Sequence, residues 1–213
     1  MKTKTKALAL ALCAVLLVVS TVFVTMAYLT SHDSVQNTFT VGEVTISLDE
    51  LDVDGDDLRT DNKEYTKDGS TTIRDKANEY KLIPGKNYTK DPTIHVGAKS
   101  EPCYLFVKVE NGLVNAEAAG DTTIAKQMKA NGWFLVAGTE NVYYYGTATD
   151  ITAVNGGVDK VVFEKFTIAD EANVADYKDA KINVTAYAIQ AEGFDNTAIA
   201  DIWAKFSNYG ITA

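Results

Sequence analysis

The stretch Cys103-Tyr-Leu-Phe-Val-Lys-Val-Glu110 is the strongest strand signal in the chain. Its residues Cys103, Leu105, Val107 and Val109 would share one face of an extended backbone. A period of two over eight residues, rich in β-branched and aromatic side chains, is typical of a β-strand with one face in a core. We therefore expect this strand to lie at the centre of a β-domain.

Similar alternation recurs on both sides of this stretch. Further strands are predicted over residues 40–48, 93–96, 133–136, 141–147, 160–168 and 181–190. Turn signals stand between them, among them Pro84-Gly85, Asn111-Gly112 and Asn155-Gly156-Gly157. Seven or eight short strands with few helices predict an all-β fold, a jelly-roll-like β-sandwich.

Two segments have helical periodicity instead. Residues 121–130 predict a short helix with Asp121 as its N-cap. Near the C-terminus, apolar side chains recur at helical spacing behind Asp195-Asn196, at positions Ile199, Ile202, Trp203 and Phe206. We expect this second helix to pack across the sandwich.

The first 27 residues have the pattern of an export signal. A basic head is followed by an apolar run over residues 7–24 and by Thr25-Met26-Ala27, which puts small residues where a signal peptidase requires them. The pattern predicts cleavage between Ala27 and Tyr28 and a secreted protein. The run is about 18 residues long, so a retained membrane anchor is the alternative.

Composition favours one acidic domain over residues 40–213. Removal of residues 1–27 takes away three lysines and no acidic residue, so the 20 basic residues fall to 17 against 29 acidic ones, a formal charge of −12. Such a charge argues against nucleic acid as a partner. Cys103 is then the one remaining cysteine, and we expect it to be a buried, inert thiol without an intrachain disulfide.

Residues 49–80 differ in composition and predict a long polar, acidic loop or a weak hairpin. Within it, the spacing of oxygen-bearing side chains around Gly55 is close to that of an EF-hand loop, with candidate calcium ligands at Glu50, Asp52, Asp54, Asp56 and Asp61. Glutamate at the first position, aspartate at the twelfth and the lack of flanking helical patterns depart from that motif. The alternative is a solvated acidic loop with a glycine turn.

The sequence contains no catalytic motif that we can identify. The two histidines, His32 and His95, do not form the His-Glu-x-x-His pattern of zinc peptidases. A nucleophile elbow and a phosphate-binding glycine loop are also missing from the sequence. These observations favour a protein that is not an enzyme.

Several segments together resemble the TasA/camelysin family of secreted Gram-positive proteins. They are Ala27-Tyr28 at the cleavage site, residues 37–42, residues 82–92, residues 103–111 and residues 187–194. The order of these segments along the chain is what makes the match specific. The resemblance implies a jelly-roll domain, processing by a SipW-type signal peptidase, and assembly into fibres of the biofilm matrix or cell surface.

In fibres of this kind the N-terminal arm of one subunit completes the sheet of the next. The resemblance places the arm at residues 28–39, with Tyr28, Leu29, Val35 and Phe39 available to fill pockets. The partner would be a second copy of the chain, joined head to tail, with matrix or cell-wall components as further partners. The arm is therefore a candidate donor strand.

Two alternative functions stay open at this point. Camelysin members have been described as metallopeptidases, although this sequence shows no zinc-ligand motif. A monomeric surface-binding module is the other alternative, for which the aromatic run Tyr143-Tyr-Tyr145 could supply contacts. Strand aromatics are more often part of a core or of cross-strand pairs.

Overall fold

The structure is a computed structural model that describes residues 3, 5, 6, 10–18, 42–53 and 74–208, apart from the side chains of residues 75, 207 and 208. The chain divides into two units, Met1–Thr40 and Val41–Ala213. In the first unit, residues 10–18 are helical. Among the described residues, no helix has both the length and the hydropathy needed to span a bilayer. The predicted cleavage site and the predicted arm lie outside the described residues.

The second unit consists mainly of short antiparallel strands. They are β1 (Ile46–Leu51), β2 (Arg74–Asp75), β3 (Asn87–Thr89), β4 (Thr93–Val96), β5 (Cys103–Asn111), β6 (Trp133–Leu135), β7 (Val142–Tyr145), β8 (Asp159–Val161), β9 (Lys165–Thr167) and β10 (Ile182–Gln190). The described residues of this unit also form two helices, α1 (Ile124–Ala130) and α2 (Ile199–Asn208), and a 3-10 turn (Val174–Tyr177).

The strands form two four-stranded sheets and one two-stranded sheet. The first sheet has the order β2-β1-β4-β8, the second β10-β5-β7-β6, and β3 pairs with β9. Every pairing is antiparallel, and β10 pairs with β5 along its whole length, from Ile182 opposite Asn111 to Gln190 opposite Cys103. The predicted all-β, sandwich-like fold is therefore confirmed.

The main core lies on the predicted apolar face of β5. Cys103, Leu105 and Val107 have no exposed surface there, and they belong to one cluster with Ile94 of β4 and Trp133 of β6. Burial raises the pKa of the Cys103 thiol, in keeping with an inert side chain. The strand identified first in the sequence thus lies in the centre of the fold.

A second apolar cluster covers the opposite face of the same sheet. Phe106 of β5 and Tyr187 of β10 pack against Trp203 and Phe206 of α2. The predicted C-terminal helix is confirmed, and its apolar stripe is used in packing. Because α2 covers Phe106, strand β5 is buried on both faces.

Two predicted strands differ clearly from the structure. The predicted strand over residues 160–168 is wrong, because β8 and β9 belong to different sheets and the consecutive residues Val162 and Phe163 between them are both fully buried. The chain leaves the first sheet after Val161 and joins β3 from Lys165 onwards. The first strand begins at Ile46 and runs to Leu51, into the segment predicted as loop.

The N-cap predicted for the first helix is also wrong. Helix α1 begins after Thr123. Asp121 instead accepts a hydrogen bond from Lys126 at the surface. Strand β3 and the 3-10 turn had no predicted counterpart.

Candidate functional site

Strand β1 brings two neighbouring acidic residues into the interior of the protein. Asp49 and Glu50 are each only 4% exposed, and on a strand neighbouring side chains point to opposite faces. Each carboxylate has its own cationic partner, Arg74 for Asp49 and Lys90 for Glu50. A buried carboxylate without such a partner would be costly, so these pairs explain how β1 continues into an acidic segment.

Arg74 of β2 holds the outer face of the first sheet together. Its Nε donates to Oδ1 of Asp49, and its Nη1 donates to Oδ2 of Asp91 at 2.9 Å. Its Nη2 donates to the hydroxyl of Thr93 at 2.9 Å and to the backbone oxygen of Asp91 at 3.1 Å. The planar guanidinium thus links β1, β2 and the start of β4.

His95 of β4 is hydrogen-bonded through both ring nitrogens. Nε2 lies 3.0 Å from Oδ1 of Asp49, and Nδ1 lies 2.8 Å from Oδ1 of Asp159 on β8. The hydrogen bond to Asp49 raises the pKa of His95; burial opposes that effect, and Asp159 reinforces it. The imidazole therefore bridges three strands of the sheet.

Burial and nearby cations have opposite effects on the pKa of the Asp49 carboxyl. Burial by itself would raise the pKa of its carboxyl, but the hydrogen bonds and charges of His95 and Arg74 outweigh burial and lower it. Its Oδ2 is buried and accepts no hydrogen bond from the described residues. The carboxylate is thus kept ionised by two cations that both contact its other oxygen.

Glu50 belongs to a separate polar group in a cleft of about 930 Å³. Lys90 Nζ lies 2.5 Å from Oε2 of Glu50, and the side-chain amide of Asn78 donates to Oε1 at 3.0 Å. The ring of Tyr80 lines the same cleft. Both carboxylate oxygens of Glu50 are therefore used by protein groups.

The cleft continues along one edge of the second sheet. Strand β10 is the last strand of that sheet, and among the described residues its outer edge has no strand partner. The inward-facing Ile182, Val184, Ala186 and Ala188 pack on the main core but are only partly buried. Leu48 and Glu50 of β1 face Ile182 and Val184 across a second cavity of about 540 Å³. The core is less well covered here than at β5.

The predicted calcium ligands are only partly within the described residues. Glu50 lies on β1 with both oxygens occupied, and Asp52 follows that strand. Asp54, Asp56 and Asp61 lie outside the described residues, as do His32 and the arm residues Tyr28, Leu29, Val35 and Phe39. Within the described part of the chain, no group of three or more histidine, cysteine or acidic side chains could hold a metal ion.

The aromatic run in β7 is largely used for packing. Tyr144 is buried in the second cluster, and Tyr143 and Tyr145 are partly buried against the main core. Tyr145 also stacks edge-on with Trp133 and accepts a hydrogen bond from Lys160 at 2.7 Å. These contacts give no support to a surface-binding role for the run.

Sequence reasoning missed Arg74, Asn78 and Lys90. The signal for Asn78 and Lys90 is weak, because neither belongs to a recognisable motif. The sequence signal for Thr93 and His95 was stronger, because strand alternation places both on the face opposite Ile94. A polar stripe on a predicted strand indicates either an exposed face or a buried network.

The chain matches no protein-family model, no curated protein and no solved structure.

Proposed function

We propose that this chain is a secreted structural protein of the TasA/camelysin type, a fibre subunit of the biofilm matrix or cell surface. Its second unit would be a jelly-roll domain, and removal of the signal helix after Ala27 would free the arm of residues 28–39. The observation that carries the proposal is the open edge of β10. This edge strand is nine residues long, and its first four residues line two cavities above a partly covered core.

An open edge of this length favours strand addition. An unpaired strand edge presents backbone donors and acceptors that an extended segment can satisfy, and alternate side chains of that segment can fill the space above the core. In the arm, Val35 and Phe39 have the spacing to share one face of a strand. A donor strand at β10 would cover Ile182, Val184 and Ala186 with such side chains.

Addition between copies gives filaments because the donor and the acceptor are different surfaces of one chain. Such head-to-tail contacts give an open filament unless the rotation between neighbouring subunits closes a ring. The acidic charge of the processed chain keeps free subunits soluble before they join. A camelysin-type metallopeptidase is the alternative, but no specific observation favours it.

The test compares two purified proteins, one beginning at Tyr28 and one beginning at Val41. We expect the first to form filaments visible by electron microscopy and the second to remain monomeric in light scattering. A synthetic peptide of residues 28–39 should bind the shorter protein and raise its melting temperature. Equal polymerisation of both proteins would contradict donor-strand assembly.

Substitutions in the arm sharpen the test. Val35→Asp places a charge on the apolar face and should abolish filaments, whereas Gln36→Asp adds the same charge on the other face and should leave them intact. Equal effects of the two changes would mean that charge, not side-chain insertion, controls assembly. Chelator-sensitive proteolysis by the purified protein would support the metallopeptidase instead.

A further inference from the structure

One carboxylate in the cleft bridges an amine and a carboxamide. Glu50 contacts Nζ of Lys90 through Oε2 at 2.5 Å and Nδ2 of Asn78 through Oε1 at 3.0 Å. We propose that Lys90 and Asn78 react to form an intramolecular isopeptide bond between Nζ and Cγ, with Glu50 as the proton carrier. This modification is independent of the proposed fibre function.

The carboxamide of Asn78 is oriented as an electrophile. Its Oδ1 accepts a hydrogen bond from the backbone N–H of Val53 at 2.8 Å, and its Nδ2 donates a second hydrogen bond to the backbone oxygen of Leu51 at 2.9 Å. A donor on Oδ1 polarises the carbonyl and stabilises the negative charge that develops when a nucleophile attacks Cγ. An ion pair between Lys90 and Glu50 alone would not require this arrangement.

The amine of Lys90 is buried beside Glu50 and an aromatic ring. Lys90 is 9% exposed, and its Nζ lies 5.9 Å from the centroid of the Tyr80 ring. Tyr80 packs edge-on against Tyr88 and Phe166, so aromatic rings line one side of the site. Oε2 of Glu50 is within hydrogen-bond distance of Nζ and can accept its proton, and the amine formed in this way is the nucleophile.

The reaction balances without an oxidant or a cofactor. The Lys90 ammonium transfers a proton to Glu50, and the free electron pair of Nζ attacks Cγ of Asn78 to form the new C–N bond. Glu50 then carries a proton from Nζ to Nδ2, the bond between Cγ and Nδ2 breaks, and ammonia leaves through the open cleft. Ammonia takes the last proton from Glu50, which returns to its carboxylate form.

The product would close a covalent ring around β3. Asn78 follows β2, and Lys90 lies between β3 and β4, so the bond would tie the chain segment that leads out of the acidic loop to the first sheet. Strand β3 would then lie within the closed ring. Such a cross-link suits a protein that must resist proteolysis outside the cell.

The experiment is mass spectrometry of the full chain purified after expression and processing, with its N-terminus determined by sequencing. We expect a mass lower than the sequence mass by one molecule of ammonia. Trypsin should fail to cleave after Lys90 and should yield a branched peptide in which residues 77–81 are joined to residues 87–99. Because Asn111-Gly112 can also lose ammonia through a succinimide, the branched peptide decides the location.

Matched variants separate chemistry from packing. Lys90→Arg, Asn78→Ala and Glu50→Gln should each abolish the branched peptide, whereas Lys76→Arg and Asn183→Ala, which lie along the same cleft, should keep it. Recovery of unbranched peptides ending at Lys90 and containing Asn78 from folded, aged wild-type protein would overturn the proposal. That measurement needs no variant, so it holds even if the substitutions prevent folding.

Discussion

The imidazole Nε2 of His95 lies 3.0 Å from Oδ1 of Asp49, although 46 positions separate the two residues in the chain. The second ring nitrogen of His95 contacts Asp159. An ionised carboxylate can only accept hydrogen bonds, so both contacts are made at once only when His95 carries a proton on each nitrogen. The bridge between β1, β4 and β8 therefore depends on pH.

Stability should fall as the pH rises from about 6.5 through the raised pKa of His95. The pKa of His95 is raised in the folded chain above its ordinary value of 6.5, so its contribution is complete below about that pH and is lost as the pH rises through the folded value. The lowered pKa of Asp49 acts in the opposite range, and its contribution is lost as the pH falls through the folded value, below 3.8. Denaturant unfolding at several pH values measures the loss of stability at both high and low pH.

The variant His95→Gln tests whether His95 causes the loss of stability at high pH. It should cost about 1–3 kcal/mol in mildly acidic solution, because buried Asp49 loses a charged donor. The difference from the wild type should shrink as the pH rises, since the wild type loses the same interaction. Asp121→Asn, which removes an exposed ion pair with Lys126, is the control and should change stability by less than about 0.5 kcal/mol at every pH. Parallel pH curves for His95→Gln and the wild type would exclude the bridge.

Arg74 should not be replaceable by lysine. A lysine keeps the charge but cannot reach Asp49, Asp91 and Thr93 together, so Arg74→Lys should destabilise the fold by about 1–3 kcal/mol. Arg74→Ala should cost about 3–5 kcal/mol, because it leaves the buried carboxylate of Asp49 with one cation. Chemical unfolding at neutral pH gives both values, and equal stability of the lysine variant and the wild type would contradict the role of the guanidinium fork.

The all-β class, the β5 face and the C-terminal helix could be predicted because each depends on local periodicity. Cys103, Leu105 and Val107 alternate cleanly, and the apolar residues of α2 recur at helical spacing. Each pattern can be recognised in the sequence because all of its residues lie in one contiguous segment. Local pattern therefore predicted which segments are regular and which face each one buries.

The polar site could not be predicted from the same patterns. Arg74 and Asp49 meet across 25 positions, and Lys90 and Glu50 across 40. Strand register determines these contacts, and register depends on the packing of the whole sheet. Because residues 49–80 are acidic, they were expected to be exposed, so the burial of Asp49 and Glu50 was not predicted. The break at Val162 was missed for a related reason, since burial of two consecutive residues depends on tertiary contacts.

Two glycines should respond differently to alanine. A Cβ on Gly146 would lie 2.1 Å from the backbone oxygen of Asp150, so Gly146→Ala requires the turn after β7 to move and should cost about 3 kcal/mol or more. Gly138 has a φ of +83° with open space around it, so Gly138→Ala should cost only about 1–2 kcal/mol through backbone strain. Thermal unfolding of both variants checks the order, and a larger loss for Gly138→Ala would contradict the close approach at Gly146.

Helix α2 should stabilise the second sheet through Trp203. This side chain packs on Phe106 and Tyr187, with ring centroids 5.5 and 5.0 Å away, so its removal opens a cavity over β5 and β10. We expect Trp203→Ala to cost about 3–5 kcal/mol in denaturant unfolding. Lys205→Ala, on the exposed side of the same helix, should change stability by less than about 0.5 kcal/mol. Because α2 covers the face of β10 opposite the open cleft, Trp203→Ala should also increase hydrogen exchange in β10, and unchanged exchange there would mean that the helix does not support the edge strand.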